Sequence, residues 1–246
     1  GIIPYKQRKI NAKNIGVVFG QRTQLWWDLP VIDSLKLLRH IYDVPKNVFN
    51  NNIEMFQDVL DIGSFINTPV RQLSLGQRMR SDIAAALLHN PPILFLDEPT
   101  IGLDPLAKEK IRNFIRLANK ERDVTVILTT HDMSDIEDLC KRMMIIEDGS
   151  LVYDGSLEKI KEDYGKERIL EVEFASEKTI IPHQISLVRE DGLRKWFRFN
   201  KGETNASNVI VQLSQSNEIV DLSIKDQGIE SIVKKIYANG MSKIGS

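Results

Sequence analysis

The stretch Ile93–Leu96 followed by Asp97, Glu98, Pro99 and Thr100 (ILFLDEPT) constrains this chain more than any other. Four apolar residues in a row suit a strand buried on both faces, as in a parallel sheet covered by helices. Such sheets place their ligand sites beyond the carboxyl ends of the strands. Two adjacent carboxylates delivered there can hold a divalent cation and accept a proton. The octapeptide alone also fits a core strand ending in a polar turn, so its neighbours must decide.

The bulk properties exclude several classes. The 246 residues allow one large domain, or one domain with a small companion. The net charge of −1 suggests no polyanionic partner, and hence no nucleic acid. No apolar run approaches the roughly 18–20 residues that span a bilayer. The N-terminus has no signal-peptide pattern. Cys140, the one cysteine, lies in a stretch read as helical and suits a small buried apolar position.

The neighbours of ILFLDEPT carry the decisive pattern. Upstream stands Leu73-Ser74-Leu75-Gly76-Gln77; downstream stand Gly102-Leu103-Asp104-Pro105 and then Thr130-His131-Asp132 after a second apolar run. In this order they resemble the ATP-binding cassette family, the nucleotide-hydrolysing subunits of ABC transporters. LSLGQ resembles the family signature, ILFLDE the Walker B strand, GLD the D-loop and His131 the switch histidine. The resemblance covers roughly residues 1–160. Family members usually carry Gly where this chain has Leu75.

Taken in order, IGVVF at Ile15–Phe19 reads as a further buried strand. It leads into GQRTQLWWDLP, which resembles the family's Q-loop, with Gln21 as the loop glutamine and Gln24 as the alternative. Val31–Val44 and Asn51–Ile62 show helical spacing, with Gly63 as the stop of the second. They match the helical subdomain, about 28–90, that the family inserts before the signature. Trp26 and Trp27 at its entrance fit either core packing or contact with a membrane partner. Ser74 is placed to cap the helix Gln77–His89, leaving free amides and a positive dipole end at Ser74–Gln77, a ready anion site. Asp104 caps and Pro105 opens the next helix. Val124–Leu128 is a strand that delivers His131, and Ser134-Asp135-Ile136-Glu137 reads as a capping box. Met143–Ile146 and Leu151–Tyr153 read as a hairpin turning at Asp148-Gly149 and closing the core.

From about Gly165 the pattern changes to alternating strands, a hairpin around Asp191-Gly192, a short helix capped by Ser207, and a last amphipathic helix stopped at Gly240. The expected architecture is α/β: a P-loop NTPase-like, mostly parallel sheet with helices on both faces and an inserted helical subdomain. The domains read as 1–163 for this core and 164–246 for a small α+β extension, which resembles that of ABC-2 type exporter ATPases.

The resemblance implies ATP with Mg2+. Asp97 would hold the metal, Glu98 would deprotonate the attacking water, and His131 would contact the γ-phosphate. Gln21 would sense both metal and phosphate. Ser74, Gly76 and Gln77 would complete the ATP site of an opposing cassette, in a homodimer or heterodimer, and Asp104 would align the two. The implied partners are transmembrane permease subunits, with the protein cytoplasmic and peripheral on the inner face of the plasma membrane. One piece is missing: no G-x-x-x-x-G-K-[ST] (Walker A) occurs in the 246 residues. About twenty residues precede Gln21, whereas a strand–P-loop–helix unit needs roughly thirty. The expectation is an N-terminally truncated cassette, inactive by itself. The alternatives are a non-catalytic cassette that lends only its signature, and a non-transport ABC ATPase.

Overall fold

The computed structural model describes residues 2–20, 22–182 and 185–238, and its contacts divide the chain into two compact units, Gly1–Leu139 and Cys140–Ser246. This division falls earlier than the boundary at 163/164 read from the sequence. Gly240 lies outside the described residues.

In the first unit, β1 (Ile15–Phe19), β2 (Ile93–Asp97) and β3 (Thr125–Thr129) form a parallel sheet in the order β1-β2-β3. The register sets Phe19 beside Asp97 and Asp97 beside Thr129, so all three strands end together. Leu94 and Leu96 are buried in the core on one face. Phe19, Phe95 and Ile127, on the other face, are 54%, 37% and 40% exposed. Burial of β2 on both faces is therefore corrected: within the described residues, helices cover one face only.

The covered face carries α4 (Leu75–Leu87), whose Ala84–Leu87 segment is buried. Gly16 permits the close approach, because a Cβ there would stand 2.5 Å from the Ala86 carbonyl oxygen. The same core takes residues from α2 (Val31–Ile41), α3 (Lys46–Leu60) and α5 (Pro105–Arg122), with Phe56 and Phe114 meeting edge to face at 6.1 Å. Helix α3 ends at Asp61, in the left-handed conformation (φ 53°), rather than at Gly63. An unanticipated α1 (Arg8–Asn14) buries no residue. The last helix of this unit, α6 (Met133–Leu139), starts one residue before Ser134, so Ser134 does not cap it. The Asp132 carboxylate accepts the Ser134 amide instead. Cys140 follows α6 rather than lying in it, and is half-buried.

The second unit opens with the hairpin of β4 (Arg142–Glu147) and β5 (Ser150–Ser156), which turns on the positive φ of Asp148 and Gly149. α7 (Leu157–Tyr164) follows. Strands β6 (Glu167–Phe174), β7 (Ser186–Asp191), β8 (Arg194–Asn200) and β9 (Ile219–Asp226) form an antiparallel sheet in the order β7-β8-β6-β9. α8 (Ala206–Ser214) packs Val209 and Leu213 on Leu170, Val172 and Phe197 of that sheet. Its cap is Asn205, whose side chain accepts the Asn208 amide at 2.8 Å, and not Ser207. α9 (Ile229–Ala238) closes the described chain. Among the described residues, no helix is long and apolar enough to cross a membrane.

Candidate functional site

The site forms where β1, β2 and β3 end. Asp97 is the last residue of β2, and its Oδ1 accepts the Thr129 hydroxyl of β3 at 2.6 Å. Its carbonyl accepts the Gly20 amide at 2.7 Å. A Cβ on Gly20 would stand 2.5 Å from the Glu98 carbonyl oxygen, so glycine lets the end of β1 lie against the carboxylates.

Glu98 has φ 51°. The other described non-glycine residues with positive φ are all Asp or Asn, which tolerate that region better. The strain is borne by a residue expected to do chemistry. Its amide donates to the Thr129 carbonyl at 3.0 Å, and its carbonyl accepts the Ile101 amide. The turn aims the carboxylate at His131: His131 Nδ1 lies 2.8 Å from Glu98 Oε2. This bond, with the negative charge behind it, raises the His131 pKa above its ordinary value.

The switch segment is anchored from behind. Asp135 is fully buried in α6 and accepts the hydroxyls of Thr100 and Thr130. Arg112 of α5 meets it at 2.6 Å. Lys108 of α5 pairs with Asp132 at 2.6 Å and is the main cause of the Asp132 carboxyl falling to about 2. Walker B turn, switch segment and D-loop helix thus share one polar network.

The signature segment sits at the start of α4. Ser74 Oγ accepts the Gln77 amide and the Gln77 side chain accepts the Ser74 amide, a complete capping box. Among the described residues, no backbone bond uses the amides of Leu75 and Gly76. These free amides at a helix N-terminus, with the Ser74 hydroxyl hydrogen, suit an anion. Gly76 also has a packing reason, since a Cβ there would stand 3.2 Å from the Ala107 Cβ. Asp104 accepts the Ala107 amide at 2.9 Å, as its capping position requires.

The structure thus brings together Asp97, Glu98 and His131, and sets Ser74, Gly76, Gln77 and Asp104 at two helix N-termini. Gln21 lies outside the described residues. Its alternative, Gln24, donates through Nε2 to the Asp82 carbonyl at 3.0 Å. For a divalent cation the fit is partial. Among the described residues no cluster of three His, Cys, Asp or Glu could hold a metal. Yet Asp97 and the Thr129 hydroxyl are hard oxygen donors, and Mg2+ is usually held by one or two carboxylates, waters and substrate phosphates. Sequence reading missed the Asp135 network and the strained Glu98; Asp135 was read only as part of a Ser134–Glu137 capping box.

A parallel sheet ending in an Asp-Glu pair, a switch histidine on that glutamate and a signature helix define an ATP-binding cassette ATPase domain. Comparisons with known proteins find the chain similar to members of that class. Residues 35–134 match the family described as "AAA domain, putative AbiEii toxin, Type IV TA system". The ABC transporter ATP-binding protein NatA of Bacillus subtilis (strain 168) is 30% identical over 66% of this chain and 65% of its own length. The ABC-type organic anion transporter ABCA8B of Mus musculus is 32% identical over 69% of this chain, which spans only 10% of that protein. Among solved structures, the ATP-binding cassette MJ0796, in a dimeric post-hydrolysis state bound to ADP and Pi, is 29% identical. It aligns over 63% of this chain and 68% of its own, with a TM-score of 0.55.

Proposed function

We propose that this chain supplies the hydrolytic and signature elements of an ATPase that drives transport through separate transmembrane subunits. The observation that carries this reading is the Glu98–His131 pair at 2.8 Å, beside Asp97 at the carboxyl end of the sheet. Glu98 orients a water and takes its proton, and the backbone strain at Glu98 holds the carboxylate toward that position. His131, held by Glu98, donates toward the terminal phosphate. Asp97, with Thr129 beside it, holds Mg2+, which neutralises phosphate charge when bound. Ser74, Gly76 and Gln77 present the α4 N-terminus to the phosphates of a second cassette, with Asp104 at the facing edge. The Q-loop role belongs to Gln21.

Trp26 and Trp27, 39% and 48% exposed, form the surface offered to a permease. A cytoplasmic position at the inner membrane face and an export direction go with this reading. So does a boundary at 163/164 between the cassette core and the C-terminal extension. The phosphate-cradling loop is not among these 246 residues, and the 246-residue chain alone is expected to show no ATP turnover. The test uses the polypeptide as encoded, in complex with its permease. Glu98→Gln lowers turnover at least about 100-fold while ATP binding persists. Turnover near the parent level in Glu98→Gln overturns the assignment.

A further inference from the structure

The segment after β1, residues 22–30, is a loop whose fastening to α4 no local pattern announces. Asp82 lies in the middle of α4 and is 4% exposed. Its Oδ1 accepts the Thr23 hydroxyl at 2.8 Å and the Gln24 amide at 3.0 Å. The Asp82 carbonyl accepts the Gln24 side chain at 3.0 Å. The Thr23 hydroxyl in turn accepts the Leu25 amide at 3.1 Å, and Leu25 is buried. Three consecutive residues of the loop are therefore organised by one carboxylate.

Arg78 stands one turn earlier on the same face of α4. Its guanidinium lies over the Trp27 ring at 4.7 Å, and its buried Nε has no acceptor among the described residues. Its bond to the Leu73 carbonyl is long, at 3.5 Å. Stacking on Trp27 is thus its main partnership. The loop is held to α4 at two points, and α4 begins at the signature.

A carboxylate in this place is costly. Burial pushes the Asp82 carboxyl up to about 6, against the pull of Thr23, Gln24 and Arg78. An apolar side chain would fill the same helix position more cheaply. What the carboxylate adds is an acceptor that two neighbouring donors can share.

We propose that Asp82 is a positioning residue that locks the tryptophan loop onto the signature helix. A push on Trp26 and Trp27 then has a route to Ser74–Gln77 along α4, beside the bonds the loop makes to Ser34 of α2 and to the amides of Val70 and Arg71. The reading of the loop as a permease surface supplies only the source of the push; the lock is a property of this chain and is tested without nucleotide or permease. The test is acrylamide quenching of tryptophan fluorescence in a Trp196→Phe background, where Trp26 and Trp27 alone report. Asp82→Ala raises the quenching constant about twofold and speeds hydrogen exchange at Gln24 and Leu25. Asp82→Asn, which keeps an oxygen acceptor, restores both. Phe56→Leu, a core change remote from the loop in sequence, destabilises the unit but leaves the quenching unchanged. Parent-like quenching in a folded Asp82→Ala, or no rescue by Asn, overturns the proposal. If Asp82→Ala does not fold, Thr23→Val provides the second route: it removes one of the shared donors and must raise quenching in the same direction, and parent-like quenching in it overturns the proposal equally.

Discussion

Replacing Asp135 by Ala puts the polar network behind the switch segment to a direct test. Asp135 has no solvent exposure, and three groups converge on it: the hydroxyls of Thr100 and Thr130 and the Arg112 guanidinium. Each hydroxyl that loses its acceptor costs about 1 kcal/mol. Removing one partner of a buried ion pair costs roughly 3–5 kcal/mol when the other is stranded. Arg112 is 16% exposed and keeps Asp138 at 3.0 Å, which puts its share below that range. The sum is a loss of about 3–4 kcal/mol, and Asp135→Asn, which keeps one acceptor, loses about half. The assay is urea unfolding followed by tryptophan fluorescence in a Trp196→Phe background, so that Trp26 and Trp27 report the first unit rather than the second. A loss under about 1 kcal/mol for Asp135→Ala would refute the reasoning, since a side chain that central to a network cannot be nearly neutral.

Two further outcomes follow from the titrating groups. His131 owes its raised pKa first to the hydrogen bond its ring donates to Glu98 and then to that residue's charge. A raised histidine value stabilises the fold below the ordinary pKa and loses that contribution as pH rises through the folded-state value. NMR titration of the His131 ring should show the value drop in Glu98→Gln, and an unchanged titration removes the pair from the account. Asp82 has the opposite sign from a paired carboxylate. Its pKa is pushed up to about 6 from 3.8, so the unfolded chain ionises first and stability falls as pH rises between those values. The gap corresponds to about 3 kcal/mol above pH 6, and Asp82→Asn should flatten that slope and gain up to about 2 kcal/mol at pH 7.5. Equal destabilisation of Asp82→Asn at pH 4 and pH 7.5, in chemical denaturation, would contradict the origin of the shift.

What the sequence made legible was what short-range rules write locally. The cap at Ser74 with its Gln77 partner, the Asp104-Pro105 helix start and the Asp148-Gly149 turn each depend on residues within a few positions. The strands β1, β2 and β3 were readable because apolar runs between polar turns have few other uses. The errors come from choices local rules leave open. Asp61, in the left-handed conformation, ended α3 two residues before the expected glycine. Asn205 took the cap that Ser207 was equally able to provide. The Asp82 lock joins residues 59 and 58 positions apart and the Thr100–Asp135 contact spans 35, so neither leaves a periodic trace.

The uncovered face of the sheet adjoins the candidate site. Parallel sheets bury both faces, yet Phe19, Phe95 and Ile127 stay exposed on the face opposite α4. The strand order leaves the outer edges of both β1 and β3 without a neighbouring strand among the described residues. Asp97 shares that face with Phe95, two residues before it on the same strand, so anything that covers Phe95 and Ile127 also borders the candidate site.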